Sequence, residues 1–322
     1  MIISRTPLRI SFVGGGTDLP DFYRKDRGAV LSTAIDKYMY ITVNRFFDHR
    51  LLLKYSKTEL VESVEAVEHP LLKACLKLTG ITGGTEITSM CDVLGGTGLG
   101  SSSAFTVGTL HALHAYKGEF VSAEQLAQEA CRIEIEMLKE PIGKQDQYIA
   151  SYGGCKYIQF MPDESVWVDP VICPPEILAE LKRKLLLFYT GVTRKASAIL
   201  KKQKRRTQSK FKELKSLRSL AEQARKYLNL HQVDKFGKLL HENWTLKKKL
   251  APGISNSGID EIYERARKAG AIGGKILGAG GGGFLLVFCH DHSQSSVRQA
   301  LNGLREIPFE LESQGSKIIY VS

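Results

Sequence analysis

Gly95-Gly96-Thr97-Gly98-Leu99-Gly100-Ser101-Ser102-Ser103-Ala104 is the stretch on which the reading of this chain turns. Four glycines within six residues run into three serines, and the helix-compatible run Ala104-Phe105-Thr106-Val107 follows. Glycine has no Cβ, so successive backbone N–H groups can converge on a bulky anion. The N-terminus of the following helix adds unpaired N–H donors and a partial positive charge. Glycines, then hydroxyls, then an apolar helix is the order expected of a phosphate cradle, where a flexible Gly-Ser turn needs no such order. The serines suit two tasks, capping the helix and ligating magnesium.

Two further glycine clusters flank this one. Upstream, Arg9-Ile10-Ser11-Phe12-Val13-Gly14-Gly15-Gly16-Thr17-Asp18 places an arginine on a strand and an aspartate after a glycine turn, a pattern suited to a polar ligand. Downstream, Gly273-Gly274-Lys275-Ile276-Leu277-Gly278-Ala279-Gly280-Gly281-Gly282-Gly283 leads into Phe284-Leu285-Leu286-Val287-Phe288. By spelling, Gly278, Gly280 and Gly283 match a dinucleotide fingerprint. That fingerprint must open a helix, and here a strand follows, so the loop is read as a tight turn or a close backbone approach. Gly143-Lys144 lacks the upstream glycine and following Ser/Thr of a Walker A loop.

Between these clusters, Glu134, Glu136 and Glu140 lie on a helix that precedes Gly143-Lys144-Gln145-Asp146-Gln147-Tyr148. Asp146 reads either as a helix cap or as a catalytic carboxylate. His111/His114 and His290/His292 have metal-like spacing but no neighbouring Cys or acidic cluster, so they read as core or surface histidines.

Strands are expected over residues 1–13, Ala29 to Phe47, Thr85 to Met90 and Cys155 to Phe160. A helix follows the glycine-serine loop to about Tyr116, and another starts at Ser122 as its cap. The breaks at Met161-Pro162-Asp163 and Pro170 to Pro175 place a boundary near 160–175. Beyond it the pattern is strand Lys184 to Tyr189, long helices over about 194–228 and 231–250, and a helix at 258–269. The glycine turn, strand Phe284 to Cys289, a helix near 294–304 and strand Lys317 to Val321 follow. The result is an α+β chain of two halves.

The 322 residues suffice for one large domain or two ordinary ones, and 43% hydrophobic with 25% charged residues indicates a soluble protein with a real core. No run approaches the ~18 apolar residues of a membrane span. The N-terminus lacks the features of a signal peptide, and six dispersed cysteines without CxxC fit reduced thiols in a cytoplasm. Nearly all of the +11 formal charge falls in Arg194 to Arg218, where eleven Lys/Arg face one acid. With a single aromatic, Phe211, that segment reads as a solvated helix face, leaving nucleic acid or membrane contact as the weaker reading.

Three glycine-rich motifs in this order resemble the GHMP kinase family, which includes galactokinase, homoserine kinase, mevalonate kinase and phosphomevalonate kinase. Arg5 to Asp18 resembles the first motif, Gly98 to Ala104 the second and Leu277 to Gly283 the third. Within the family, Gly14 to Pro20 and Gly143 to Tyr148 are similar to kinases of phosphorylated heptoses, with the kinase part of bacterial fucokinases in competition. The resemblance implies a two-domain fold. An N-terminal ATP-binding α+β domain with a left-handed βαβ crossover would occupy 1–165, and a C-terminal ferredoxin-like domain 166–322. The active site would lie in the cleft between them.

It also implies roles. Gly95, Gly96, Gly98, Leu99, Gly100, Ser101, Ser102 and Ser103 would hold the ATP phosphates. Ser102 and Glu134 would ligate Mg2+, with the choice among the three serines left open because the chain has Thr97 and a third serine where many members differ. Asp146 would be the catalytic carboxylate and Arg9 the catalytic cation. Gly16, Thr17, Asp18, Gly280 and Gly281 would contact the acceptor. Lys144 and Arg194 either grip a distal phosphate from opposite walls of the cleft or are surface charges. The implied ligands are a small-molecule sugar phosphate and ATP, with no nucleic acid or membrane partner and a homodimer left open.

Overall fold

The computed structural model describes residues 1–192 and 196–322. Its first sheet is built on two long antiparallel strands, Ile2–Val13 and Gly28–Arg45, both dense in β-branched and aromatic residues. Pro7 sits where their register shifts between Pro7 and Leu8, a position that spares the ladder a missing N–H. Thr85–Cys91 and Cys155–Phe160 pair with different halves of Gly28–Arg45, and Val166–Pro170 lies outside the latter. Leu51–Lys54 runs parallel to Thr85–Cys91, and the helix Pro70–Thr79 lies in the crossover between them.

The helix Ser101–Tyr116 packs across both long strands. Its residues Ser103 to Leu110 are all buried, so it is a core helix without a polar face. Gly108 permits the close approach: a Cβ there would lie 2.8 Å from Thr6 Oγ1, and Ser4 Oγ donates to the Gly108 carbonyl at 2.7 Å. This packing fixes the helix N-terminus, and therefore the glycine-serine loop, at one end of the sheet.

The second sheet has four antiparallel strands in the spatial order Arg305–Glu306, Leu185–Tyr189, Phe284–Cys289 and Ala271–Ile276. Helices lie between the first and second strands in sequence and between the third and fourth. This is the split βαβ arrangement of a ferredoxin-like domain. The helix expected over about 194–228 is two helices, Ala196–Arg206 and Phe211–Asn229. Between them Thr207 Oγ1 bonds back to Gln203 O at 3.3 Å and Ser209 Oγ to Arg206 O at 3.0 Å, local bonds that compete with the helical ladder.

Strand pairing does not follow the contiguous division at 165/166. Val166–Pro170, Leu311–Glu312 and Lys317–Val321 all belong to the first sheet, and Lys317–Val321 pairs with Ile2–Val13. A strand is assigned by its partner, and nothing in the spelling of Lys317-Ile318-Ile319-Tyr320-Val321 names a partner some 300 residues away. The halves are further joined by Lys275, fully buried, whose ammonium donates to the carbonyls of Ser11 at 2.6 Å and Phe12 at 3.0 Å. Among the described residues no helix is long and apolar enough to cross a membrane, and all six cysteines are unpaired.

Candidate active site

Gly96, Gly98 and Gly100 take φ of 75°, 89° and 77°, the left-handed region that glycine enters without strain. The helix Ser101–Tyr116 starts directly after Gly100, and no side chain caps it. The expected serine cap is absent, so the first amides of the helix remain available to an anion. The third glycine motif is the hairpin loop between Ala271–Ile276 and Phe284–Cys289, and it backs this cradle. A Cβ on Gly98 would lie 2.6 Å from the Leu277 carbonyl oxygen, and one on Gly283 2.2 Å from that of Thr97.

Arg9, 5% exposed, ties the cradle to Asp146. Its Nε and Nη2 donate to the two carboxylate oxygens of Asp146 at 2.8 and 2.6 Å, and Nη1 donates to Gly98 O at 2.5 Å. Asp146 lies in the first turn of the helix Gln145–Tyr152 but makes no capping bond; its further partner is the Gln145 amide at 3.0 Å. Burial pushes the Asp146 carboxyl up. The charge and hydrogen bonds of Arg9 outweigh that and hold it below the usual aspartate value. Asp18 accepts from Gly16 N at 2.8 Å, and burial raises its carboxyl. Gly143 is glycine because a Cβ there would meet Asp18 Oδ2 at 2.1 Å.

Glu134, 1% exposed, lies on Arg132–Met137, a π-helical continuation of Ala123–Cys131. Such wide turns recur at functional sites because they re-aim side chains. Glu134 accepts from Ser102 Oγ at 2.9 Å, Ser103 Oγ at 2.7 Å and Gln147 Nε2 at 2.5 Å. Burial lifts its carboxyl to about 7 against those three bonds. Ser102 is exposed and Ser103 buried, so Ser102 is the hydroxyl that a ligand reaches. One carboxylate and one accessible hydroxyl beside a phosphate cradle fit Mg2+, which keeps several waters and takes its other ligands from phosphate oxygens.

These groups line one cavity of about 440 Å³. Arg9, Gly16, Asp18, Gly96, Gly98, Gly100, Ser101, Ser102, Ser103, Glu134, Asp146 and Gly280 all face it. Gly95, Leu99, Thr17, Lys144 and Gly281 do not. Leu99 is buried, and its carbonyl accepts from Arg9 N at 3.0 Å. Thr17 Oγ1 is spent on the Gly14 and Ala29 carbonyls, and Gly281 N on Ile254 O. Lys144 donates to the Glu164 carboxylate at 2.7 Å and lies over the Tyr23 ring, so the distal-phosphate grip assigned to it has no support in this geometry. Arg194 lies outside the described residues. His114 pairs with Glu119 and Glu129, a structural arrangement, and no metal-binding cluster of His, Cys, Asp and Glu occurs among the described residues.

Two cavity residues have no signal in the sequence, Lys247 and Gln203. Lys247 lies on the helix Val233–Lys248, 6% exposed, and donates to Gly278 O at 2.8 Å. Burial lowers its ammonium to about 8; the charges of Asp18 and Asp146 work against that fall and the charge of Arg9 adds to it. Its folded value lies below the ordinary 10.5, so the charged form is disfavoured in the folded chain. Lys247 therefore costs stability at neutral pH, a cost relieved as pH rises above about 8. Activity should run the other way. Rising pH removes a cation from the cavity, so kcat/KM should fall as pH passes about 8, and Lys247→Arg should abolish that alkaline limb. A pH profile unchanged in Lys247→Arg would remove Lys247 from the chemistry.

A glycine-rich loop at a helix N-terminus and a carboxylate bound to an arginine thus meet beside the ferredoxin-like domain. The model of the GHMP kinases N terminal domain matches residues 64–154, and that of the GHMP kinases C terminal matches 208–305. The chain belongs to the GHMP kinase family and is an ATP-dependent kinase. A D-glycero-alpha-D-manno-heptose 7-phosphate kinase of Campylobacter jejuni is 29% identical over 316 residues, covering 93% of each protein. The bifunctional fucokinase/GDP-fucose pyrophosphorylase of Arabidopsis thaliana is 28% identical over 323 residues, covering 92% of this chain and 30% of that protein. The crystal structure of a D-glycero-D-manno-heptose 1-phosphate kinase from Bacteroides thetaiotaomicron matches with a TM-score of 0.84 at 24% identity, covering 100% of both chains.

Proposed function

We propose that this chain is a sugar 1-kinase that transfers the γ-phosphoryl group of ATP to the anomeric hydroxyl of D-glycero-D-manno-heptose 7-phosphate, giving the 1,7-bisphosphate. The observation that carries the phosphotransfer is the convergence of Arg9, Asp146 and the Gly98 loop, joined by three hydrogen bonds, in one cavity. Support for the heptose comes from the 29% identity over 316 residues to the Campylobacter jejuni enzyme.

Phosphoryl transfer asks the protein for positioning and charge neutralisation more than for covalent chemistry. The amides of Gly96, Gly98, Gly100 and Ser101 to Ser103 receive the phosphates. Mg2+, held by Glu134 and Ser102, would neutralise phosphate charge when bound. Asp146 faces the acceptor hydroxyl. A carboxylate held below its ordinary value is a weak base, so Asp146 orients the hydroxyl and takes its proton as the new P–O bond forms. Arg9 keeps Asp146 ionised and lies against the loop carbonyl of Gly98, where transferred charge develops. Asp18, with its Gly16 bond, is placed to accept from acceptor hydroxyls.

A second reading has one observation in its favour. Among the described cavity residues, the lysine and arginine present are Arg9, bound to Asp146, and Lys247, near Asp146 and Asp18. That supports an acceptor without a distal phosphate, as in a fucokinase-like enzyme. Purified protein with ATP and Mg2+ should be assayed against heptose 7-phosphate, free heptose, fucose and galactose. The first reading expects kcat/KM for heptose 7-phosphate to exceed that for free heptose by at least about tenfold, the worth of one charge-assisted phosphate contact. Equal values reject it in favour of the second.

A further inference from the structure

The helix Ala196–Arg206 separates its residues sharply. Lys201, Lys202, Lys204, Arg205 and Arg206 are exposed, while Ile199 and Gln203 point inward. Gln203 is 3% exposed and lines the cavity beside Leu200 and Ser197 of the same helix. Neither its Oε1 nor its Nε2 has a hydrogen-bond partner among the described residues. Leaving a buried polar group unpaired is costly, and native proteins rarely do so. The amide also shapes its surroundings. A Cβ on Gly16 would lie 2.4 Å from Gln203 Nε2, so the first glycine motif makes room for it.

We propose that Gln203 is a specificity-determining residue that hydrogen-bonds a hydroxyl of the acceptor. The chemistry of the amide selects this partner. Nε2 donates and Oε1 accepts, and only a group that both accepts and donates satisfies the two together. A hydroxyl, or a vicinal pair of hydroxyls, does so. An ionised phosphate or carboxylate accepts only and would leave Oε1 unpaired. Gln203 therefore reads the neutral polyol part of the acceptor. Asp18, across Gly16 from it, accepts a hydroxyl proton but cannot donate while ionised. The two residues come from different halves of the chain, so acceptor recognition is shared across the cleft.

This proposal rests on the sugar-acceptor reading, and its test separates the two. The full chain is assayed with ATP and Mg2+ against the sugar it phosphorylates best and the monodeoxy analogues of that sugar. Wild type should reject one monodeoxy analogue by about 10–100-fold in kcat/KM, because the amide is left unpaired without that hydroxyl. Gln203→Leu should raise the acceptor KM by a similar factor, leave the ATP KM unchanged and erase that discrimination. Gln203→Met keeps the length of the side chain and loses both its donor and its acceptor. It should show the same loss of discrimination if the leucine variant fails to fold. Discrimination and acceptor KM unchanged in either folded variant would overturn the proposal and leave the amide a structural role. Turnover of no sugar by wild type would overturn the sugar-acceptor reading, and this proposal with it.

Discussion

Asp146→Asn should lower kcat by about 10²–10⁴-fold, the usual loss when a proton-accepting group is removed from a transfer step. Nucleotide affinity should stay within a few-fold of wild type, because the phosphate cradle is built from backbone amides and Asp146 is not part of it. The asparagine keeps the shape and one bond from Arg9 but loses the charge that Arg9 was paired with. Arg9 is 5% exposed, so its cation would be left without its partner, which is destabilising even though Asp146 itself is only half-buried. A lowered Tm should therefore accompany the lost turnover. Arg9→Gln should lose turnover to a similar degree, and the double variant should lose far less than the product of the two single losses, since the residues act as a unit. Steady-state kinetics with a parallel nucleotide titration decides the matter. Turnover of Asp146→Asn within a few-fold of wild type would leave Asp146 with only its structural bonds.

Gly98→Ala should be damaging out of proportion to the single methyl group it adds. At φ 89° an alanine is strained, and its Cβ would lie 2.6 Å from the Leu277 carbonyl oxygen. The strain is of order 1–3 kcal/mol, and relief requires the loop to move away from the third motif. A displacement of about 1 Å in a phosphate cradle typically costs about 10²-fold in kcat/KM. Gly278→Ala meets the same contact from the other side, 2.7 Å from the Gly98 Cα, so its effect should be similar and the double variant less than additive. Gly95→Ala is the control. Nothing lies within 4 Å of its Cβ position and its φ is not positive, so kinetics and Tm should stay near wild type. Equal behaviour of Gly98→Ala and Gly95→Ala would show that the cradle tolerates displacement.

The cradle was legible because its chemistry is local. Gly95 to Ser103 carries glycine, hydroxyl and helix start in one continuous run, and the structure makes that run a loop and a helix N-terminus. Arg9 and Asp146 stand out through motifs, and two hydrogen bonds join them. What was illegible depends on partners distant in sequence. Lys144 reads as a free cation beside Asp146, and only the fold brings it Glu164. Lys247 and Gln203 sit in lysine-rich helical stretches, where the one inward-facing polar side chain looks like its solvated neighbours. That Leu311–Glu312 and Lys317–Val321 join the first sheet was illegible for the same reason. A strand's hydrophobicity declares that it pairs, while the sheet it joins is decided by contacts that a linear reading does not contain.

The pairing of Lys317–Val321 with Ile2–Val13 has a consequence for how this enzyme is made. The strand that carries Arg9 leaves the ribosome some 300 residues ahead of Lys317–Val321, so one of its edges lacks that partner until then. Closing a loop of that length carries only a logarithmic entropic penalty, so the finished fold loses little stability by it. The burden falls on timing. Nascent chains must keep an unpaired β edge from meeting its counterpart on a neighbouring polypeptide. The nucleotide-binding half reaches its final form only after the ferredoxin-like half has emerged, so the order of synthesis is not the order of completion.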